Sequence, residues 1–407
     1  MPTRQEILNQ KPFPTAWVMM MGVMIAIGPL AIDMYLPALT DMARDFNVSE
    51  SAISRSVPFY FMGLVVGQLI YGPLSDRMGR VKPLYIGMTV FFIASVACAM
   101  ATTESVLFVA RTVQALGASV TAVVTKAIIR DTLTPIQGAK AFSLMVLVMG
   151  IAPIVAPSFG SLILRLSDWH MLFWFLAGYG LLNLALTKLF IKETLAPQNR
   201  STQPISTILQ GYLDLFKDKT FILPAVAGGL LQGAFFIYLT VSNELFQGHY
   251  GFNKEQFAIA FGLNALGFVA MTQVNQFLTS RFRLVQLLRF GALLQLVSGA
   301  CLLLLGLFAD GWFYLVYLAL FCCIAGLGLT QPNATAIALA FQKKRAGTAS
   351  AMQGAMQFSV GVFGGLLLSF FDVSPVIKLG IVITALVGIG TVLVYQLDGK
   401  LDLSGVD

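Results

Sequence analysis

The sequence predicts an all-α membrane protein with twelve transmembrane helices in two six-helix bundles, and three observations point there. Of its 407 residues, 57% are hydrophobic and only 11% charged, with 32 Phe and 37 Gly, a composition that excludes a soluble globular domain. Twelve apolar segments follow one another: 15–39, 52–73, 83–101, 105–126, 141–164, 170–190, 221–243, 255–277, 285–308, 312–340, 346–371 and 375–396. Each is near the roughly 20 residues a helix needs to cross hydrocarbon. The basic residues are also sorted by side. With the N-terminus inside, 20 Lys and Arg fall on inner regions (Arg4, Lys11, Lys126, Lys343 and Lys344 among them), against 5 in outer loops: Arg44, Arg55, Arg165, Lys254 and Lys378. This positive-inside asymmetry places both termini in the cytoplasm and accounts for the net charge of +7 without a nucleic-acid partner.

Span one, TAWVMMMGVMIAIGPLAIDMYLPAL, carries one charge, Asp33. Placing an acid there costs at least about 2.5 kcal/mol on insertion scales. Such an acid either pairs off for helix packing or faces a wet cavity as a proton or cation carrier. Gly28-Pro29, one turn earlier, loosens the helix. The run lacks a short apolar region followed by a cleavage site, so it reads as retained and not as a signal peptide.

Span two ends in Gly72–Pro83, GPLSDRMGRVKP, where Gly72 and Gly79 permit tight turning. Asp76 can sit at a helix end, and Arg77, Arg80 and Lys82 can meet acids on neighbouring inner ends, Asp131 included. Span four carries Arg111 in RTVQALGAS, seven residues inward from Glu104, about 10 Å by helical rise. Asp33 lies eight residues inward from Asp41, about 12 Å by the same rise, so the two charges share a depth. They can pair directly or through a polar bridge; Arg111 snorkelling to the interface is the alternative. In span five, GIAPIVAPSFGS, Pro153 and Pro157 should bend the helix, and Gly150 and Gly160 allow close approach.

The longest polar stretch, residues 192–220, divides an N-terminal bundle (1–191) from a C-terminal one (221–407), with a site between them at mid-depth. Within it, ISTILQGYLDLF has helical apolar spacing and suits the inner membrane surface. The turn SDRMGRVK has a degenerate echo, TSRFRLVQ, between spans eight and nine. Span ten is long, so its inner end should emerge near Gln342, and Pro332 breaks it beside Asn333. Tyr35, Tyr60, Gln68, Met145, Met149, Asn264, Gln353 and Gln357 are candidate cavity residues, because soft and aromatic side chains repack around variable ligands. Taken singly, each fits helix packing better than ligand contact. The four cysteines lie in apolar segments and the two histidines have no ligand cluster, so neither a metal site nor a disulfide framework is expected.

The pattern G-x-L-x-D-R-x-G-R at 72–80 resembles the signature of the major facilitator superfamily. RTVQALGAS resembles the span-four pattern of its proton-coupled drug exporters, departing at Ala115, and GIAPIVAPSFGS resembles the span-five pattern of its antiporters, departing at Ser161. IDMYLPAL around Asp33, Arg130-Asp131 and GTASA at 347–351 look like the bicyclomycin/chloramphenicol resistance (Bcr/CflA) branch. A departure at Ser242–Phe246, SNELF, places Glu244 near the outer end of span seven. The resemblance implies a proton-coupled antiporter, a monomer of the bacterial inner membrane, that exports small amphipathic drugs such as chloramphenicol-type antibiotics. It needs no cofactor, since the proton gradient drives it. Asp33 and Arg111 would couple protons. Tyr35, Tyr60, Met145, Met149, Asn264, Gln353 and Gln357 would bind substrate. Gly72, Asp76, Arg77, Gly79, Arg80, Asp131, Gly150, Pro153 and Pro157 would gate, with Asp76, Arg80 and Asp131 holding the inner ends of the bundles together when the site faces out.

Other classes are less well supported. No G-x-x-x-x-G-K-[ST] run is present, which argues against ATP drive within this chain. An intramembrane hydrolase would need an acid pair or a nucleophile with its base inside the spans. An uptake symporter shares the fold, and a non-transporting sensor predicts no substrate-linked proton movement.

Overall fold

The computed structural model describes residues 14–342 and 345–400; Arg4, Lys11, Lys343 and Lys344, counted in the charge asymmetry, lie outside the described residues. Among the described residues there is no strand. Span one is α1 (Thr15–Ile25), α2 (Ile27–Asp33), a 3₁₀ turn (Leu36–Ala38) and α3 (Leu39–Asp45). Span two is α4 (Glu50–Ser54) with α5 (Ser56–Met78). Spans three to six are α6 (Val81–Ala99), α7 (Glu104–Thr132), α8 (Pro135–Leu166) and α9 (His170–Phe190). The linker holds α10 (Ile205–Lys217). Span seven is α11 (Lys219–Asn243) running into a π-helical turn, Glu244–His249. Spans eight to twelve are α12 (Lys254–Leu278), α13 (Leu284–Phe308), α14 (Phe313–Ala340), α15 (Ala346–Leu367) and α16 (Pro375–Lys400). Eleven of the spans among the described residues are long and apolar enough to cross a membrane; span eleven, carrying Gln353 and Gln357, is the other.

Spans four and five extend beyond their apolar runs, to Thr132 and back to Pro135. Backbone bonding does not stop where hydrophobicity does, and the caps mark the true ends. Thr103 caps span four, Thr134 caps span five ahead of Pro135, and Asn253 with Gln256 forms a capping box on span eight. Lys126, counted as a flank, therefore lies on the helix.

Span one is not one helix. Pro29 has no N–H to bond the Ile25 carbonyl and its ring crowds it, and α1 ends at Ile25. Pro37 acts likewise on Asp33, where α2 ends, so no N–H of residue 37 reaches the Asp33 carbonyl. Span five runs on through Pro153 and Pro157 as one helix.

Spans one to six pack among themselves, with span four against spans two and three; spans seven to twelve do the same around spans seven, nine, ten and twelve. The halves meet where span two lies on span eleven and span five on span eight. Glycines permit these approaches. A Cβ at Gly63 would fall 2.0 Å from the Thr112 carbonyl, and one at Gly160 would fall 1.9 Å from the Met34 carbonyl.

Candidate functional site

The face bearing the Lys and Arg excess is taken as inner. The outer ends of the two halves are stitched together. Asn243 of span seven donates to the Leu36 carbonyl at 3.0 Å and its amide oxygen accepts from Thr40 at 3.2 Å, while Gln247 donates to the Pro37 carbonyl at 3.1 Å. Lys254 pairs with Asp41, and Arg165 with Glu255. Just inward, Phe61 of span two meets Phe236 of span seven (ring centroids 4.7 Å), and Phe358 of span eleven stacks beside both. Outward passage is closed by these contacts. Gly150, from the span-five pattern, lies on this same interface, where a Cβ would sit 3.1 Å from Val269 of span eight.

Beneath that seam are two buried charges. Arg111 is fully buried, lodged between aromatic rings and bonded through one nitrogen, while among the described residues its Nε and Nη2 have no hydrogen-bond partner. Its Nη1 donates to Gln114 Oε1 at 2.5 Å; Gln114 in turn donates to Ser95 at 2.8 Å, and Ser95 to the Phe91 carbonyl at 2.7 Å. The guanidinium carbon lies 4.2 Å from the Tyr35 ring centroid and 4.1 Å from that of Tyr60. Cation–π contacts of a desolvated guanidinium contribute about 2 kcal/mol or more. Asp33 is the opposite case. It is 2% exposed, makes no hydrogen bond or ion pair among the described residues, and its Oδ1 is sealed without a partner. The two charges do not form a direct pair. Among the described residues the Tyr60 hydroxyl has no hydrogen-bond partner.

The other expected binding residues divide. Tyr35 is spent on Arg111 and on Ser56 (3.0 Å). Met145 is buried and Met149 partly exposed. Asn264 is buried and donates to the Tyr238 hydroxyl at 3.1 Å, with its own Oδ1 unpartnered. Gln353 donates to Thr335 at 3.0 Å, and Gln357, partly exposed, backs onto Gly229. Glu244 pairs with Lys378 at 2.6 Å in the outer seam and does not reach inward.

At the inner turn, Arg80 is the hub. It bonds Asp76 at 2.6 Å, Asp131 at 2.8 Å and Ser75 at 3.1 Å, so the three expected gating charges meet within the first six helices in this outward-closed state. Gly79 adopts φ +88, and a Cβ there would fall 2.2 Å from Glu193 Oε2. Gly72 has open space around it, and Arg77 donates to the Gln203 carbonyl. Glu193 was not singled out from the sequence. It accepts from the Arg80 and Val81 amides, clasping the linker to the turn. Burial works against its charge, but amide donors from Arg80, Leu195 and Val81 and the nearby Arg200 outweigh this and hold the carboxyl below its usual range. In the second half Asp218, which caps span seven, accepts from Gln342 at 2.8 Å and pairs with Arg345 at 3.3 Å.

A match to the Major Facilitator Superfamily spans residues 21–365. The chain is 32% identical over 380 residues to an uncharacterized MFS-type transporter, YdgK, of Bacillus subtilis, covering 92% of this chain and 93% of that one. It is 28% identical over 363 residues to a bicyclomycin resistance protein homolog of Haemophilus influenzae, covering 89% and 91%. A bacterial homolog of the human lysosomal transporter Spinster, solved inward-facing and occupied, superposes with a TM-score of 0.74 over 97% of this chain and 98% of that one; at 12% identity this speaks for the fold alone. Twelve helices in this packing, the 72–80 turn and the family match together establish that this chain belongs to the Major Facilitator Superfamily and is a multi-pass membrane transporter, not an enzyme.

Proposed function

We propose that the protein exports small amphipathic drugs, chloramphenicol-type antibiotics among them, across the bacterial inner membrane in exchange for protons, with both termini cytoplasmic. The observation that carries this reading is Asp33, a buried acid with no partner among the described residues, directly beneath a closed outer seam. An ionised carboxylate in such a place is costly unless something compensates it. Drug and proton then compete for the site. Drug enters from the cytoplasm at the ionised acid, the bundles rock to open the outer side, and a proton from outside displaces the drug and returns with the empty carrier. The similarity to a bicyclomycin resistance protein homolog supports export of antibiotics.

With Glu244 committed to Lys378, Asp33 is the acid left for cargo, which favours neutral or singly charged drugs over dications. Exchange of one proton for a neutral molecule moves net charge, so transport responds to membrane potential as well as to pH. The test is uptake of radiolabelled chloramphenicol and florfenicol, beside dicationic dyes, into inverted vesicles carrying an imposed pH gradient. Phenicol accumulation that collapses with the gradient is expected. Transport of dications with no phenicol activity, unaffected by Glu244→Gln, would refute the cargo assignment; movement in the opposite direction would refute export.

A further inference from the structure

We infer that Glu50 is a second proton site, set in the outer seam: it takes a proton from the outer water as the seam closes and gives it back there on opening, so acid outside favours the closed state. The site is separate from Asp33 and does not depend on the cargo.

Glu50 begins α4 in the first half, directly after its cap Ser49. That short helix packs on α3, on span seven and on the π-helical turn Glu244–His249 of the second half. The Glu50 carboxyl rests against Gly248 of that turn, where a Cβ would fall 2.5 Å from Glu50 Oε2. Glu50 is half-buried there, between the two bundles. Parting the bundles on the outer side removes Gly248 and returns the carboxyl to water.

The charges on the elements around Glu50 are already committed. On α3, Asp41 pairs with Lys254 and lies 3.8 Å from Arg44, whose side chain is 77% exposed, while Asp45 accepts from Trp169 Nε1 at 2.6 Å. On the π-helical turn, Glu244 pairs with Lys378 at 2.6 Å and His249 lies 3.2 Å from Asp310. Arg55, just beyond α4, meets Glu104 at 3.8 Å and donates to the Ala52 carbonyl at 3.1 Å. Thr40 spends its one hydroxyl proton on Asn243 Oδ1 at 3.2 Å. Among the described residues Glu50 is thus the seam carboxylate that no cation answers, and it faces a turn that itself carries Glu244.

Taking an ionised carboxylate partly out of water with no counter-ion costs free energy that its neutral form does not incur. The N-terminal end of α4 favours the ionised form equally with the seam open or shut, because it moves with Glu50. Closing therefore draws a proton onto Glu50, and the closed state binds more protons than the open one. By linkage, lowering the outer pH shifts the population toward closure. The proton comes from the outer side and returns to it, so it gates the seam without being transported.

The test is pulsed electron paramagnetic resonance on full-length protein in lipid nanodiscs, with spin labels on Thr102→Cys and Gly311→Cys at exposed outer loops of the two halves. Cys98, Cys301, Cys322 and Cys323 are replaced by alanine, and Asp33→Asn is present throughout so that its own titration does not contribute. Between pH 8 and pH 5 the ratio of closed to open should rise by up to about tenfold, the limit for a one-unit difference in proton affinity between the two states. Glu50→Gln, a neutral mimic of the protonated acid, should hold the high closed ratio at pH 8 and abolish the response. His249→Gln should keep it. A distance distribution that does not change with pH, or a response that survives Glu50→Gln, overturns the inference. So does a response lost on His249→Gln, which would assign it to the His249–Asp310 pair. Because Asp33 is absent from every sample, no outcome bears on its role, which vesicle transport tests separately.

Discussion

Asp33 and Arg111 sit at similar depth in one bundle, are equally hidden from water, and are treated in opposite ways. Arg111 is surrounded by two aromatic rings, a glutamine and a relay to helix backbone. Among the described residues the Asp33 carboxylate has neither donor nor counter-ion. A guanidinium clasped between two rings and bonded to a glutamine is a fixture of the fold. A charge left unsatisfied has two available states, and a carrier that must bind and release a proton needs such a group. The difference between them lies in their neighbours, not in their burial.

The strongest way to break this comparison is to neutralise each charge in turn. Asp33→Asn should lose pH-gradient-driven export to background while the protein keeps its thermal midpoint, read by vesicle uptake and by differential scanning fluorimetry. Arg111→Gln should lose stability by about 2 kcal/mol or more, lowering the thermal midpoint, because the rings and Gln114 are left around a missing cation. If Asp33→Asn destabilised the protein more than Arg111→Gln, the roles assigned to the two charges would be reversed.

A smaller effect sharpens the place of Asp33 under the seam. Asn243→Ala removes the bonds to Leu36 and Thr40, each contributing about 1 kcal/mol. The population should move several-fold toward the outward-open state, measured as faster labelling of a Leu36→Cys reporter from the outer side. Unchanged labelling would mean that the seam is held mainly by the Phe61–Phe236–Phe358 rings. The smallest effect is at the inner turn. Glu193 has its folded proton affinity held down, so its stabilising clasp is fully present above the ordinary glutamate range and is lost as pH falls through the lower folded value. Proteolysis of residues 192–204 should therefore accelerate only in acid for wild type, but at neutral pH for Glu193→Gln.

Much of this was legible in the sequence. Apolar run lengths located all twelve spans, and a single acid and a single arginine inside those runs marked the two buried charges. Helix ends were less legible, because caps such as Thr134 lie in polar sequence beyond the apolar signal. Pro37 was a usable sign of the break after Asp33 and was not read as one. Glu193 could not be found from its surroundings, since its partners Arg80 and Val81 are distant in sequence and the polar linker has no periodicity to orient it. Tyr238 is one of many aromatics in apolar helices, and only the fold brings it to Asn264.

The central claim is that Asp33 is the group whose proton is exchanged for drug. Its most direct test is proton release from weakly buffered, detergent-solubilised protein on addition of chloramphenicol, followed with a pH-indicator dye. Wild type should release close to one proton per drug bound, with release fading as pH rises past the titration of the acid, and Asp33→Asn should bind chloramphenicol without releasing any. Undiminished release from Asp33→Asn would contradict the account.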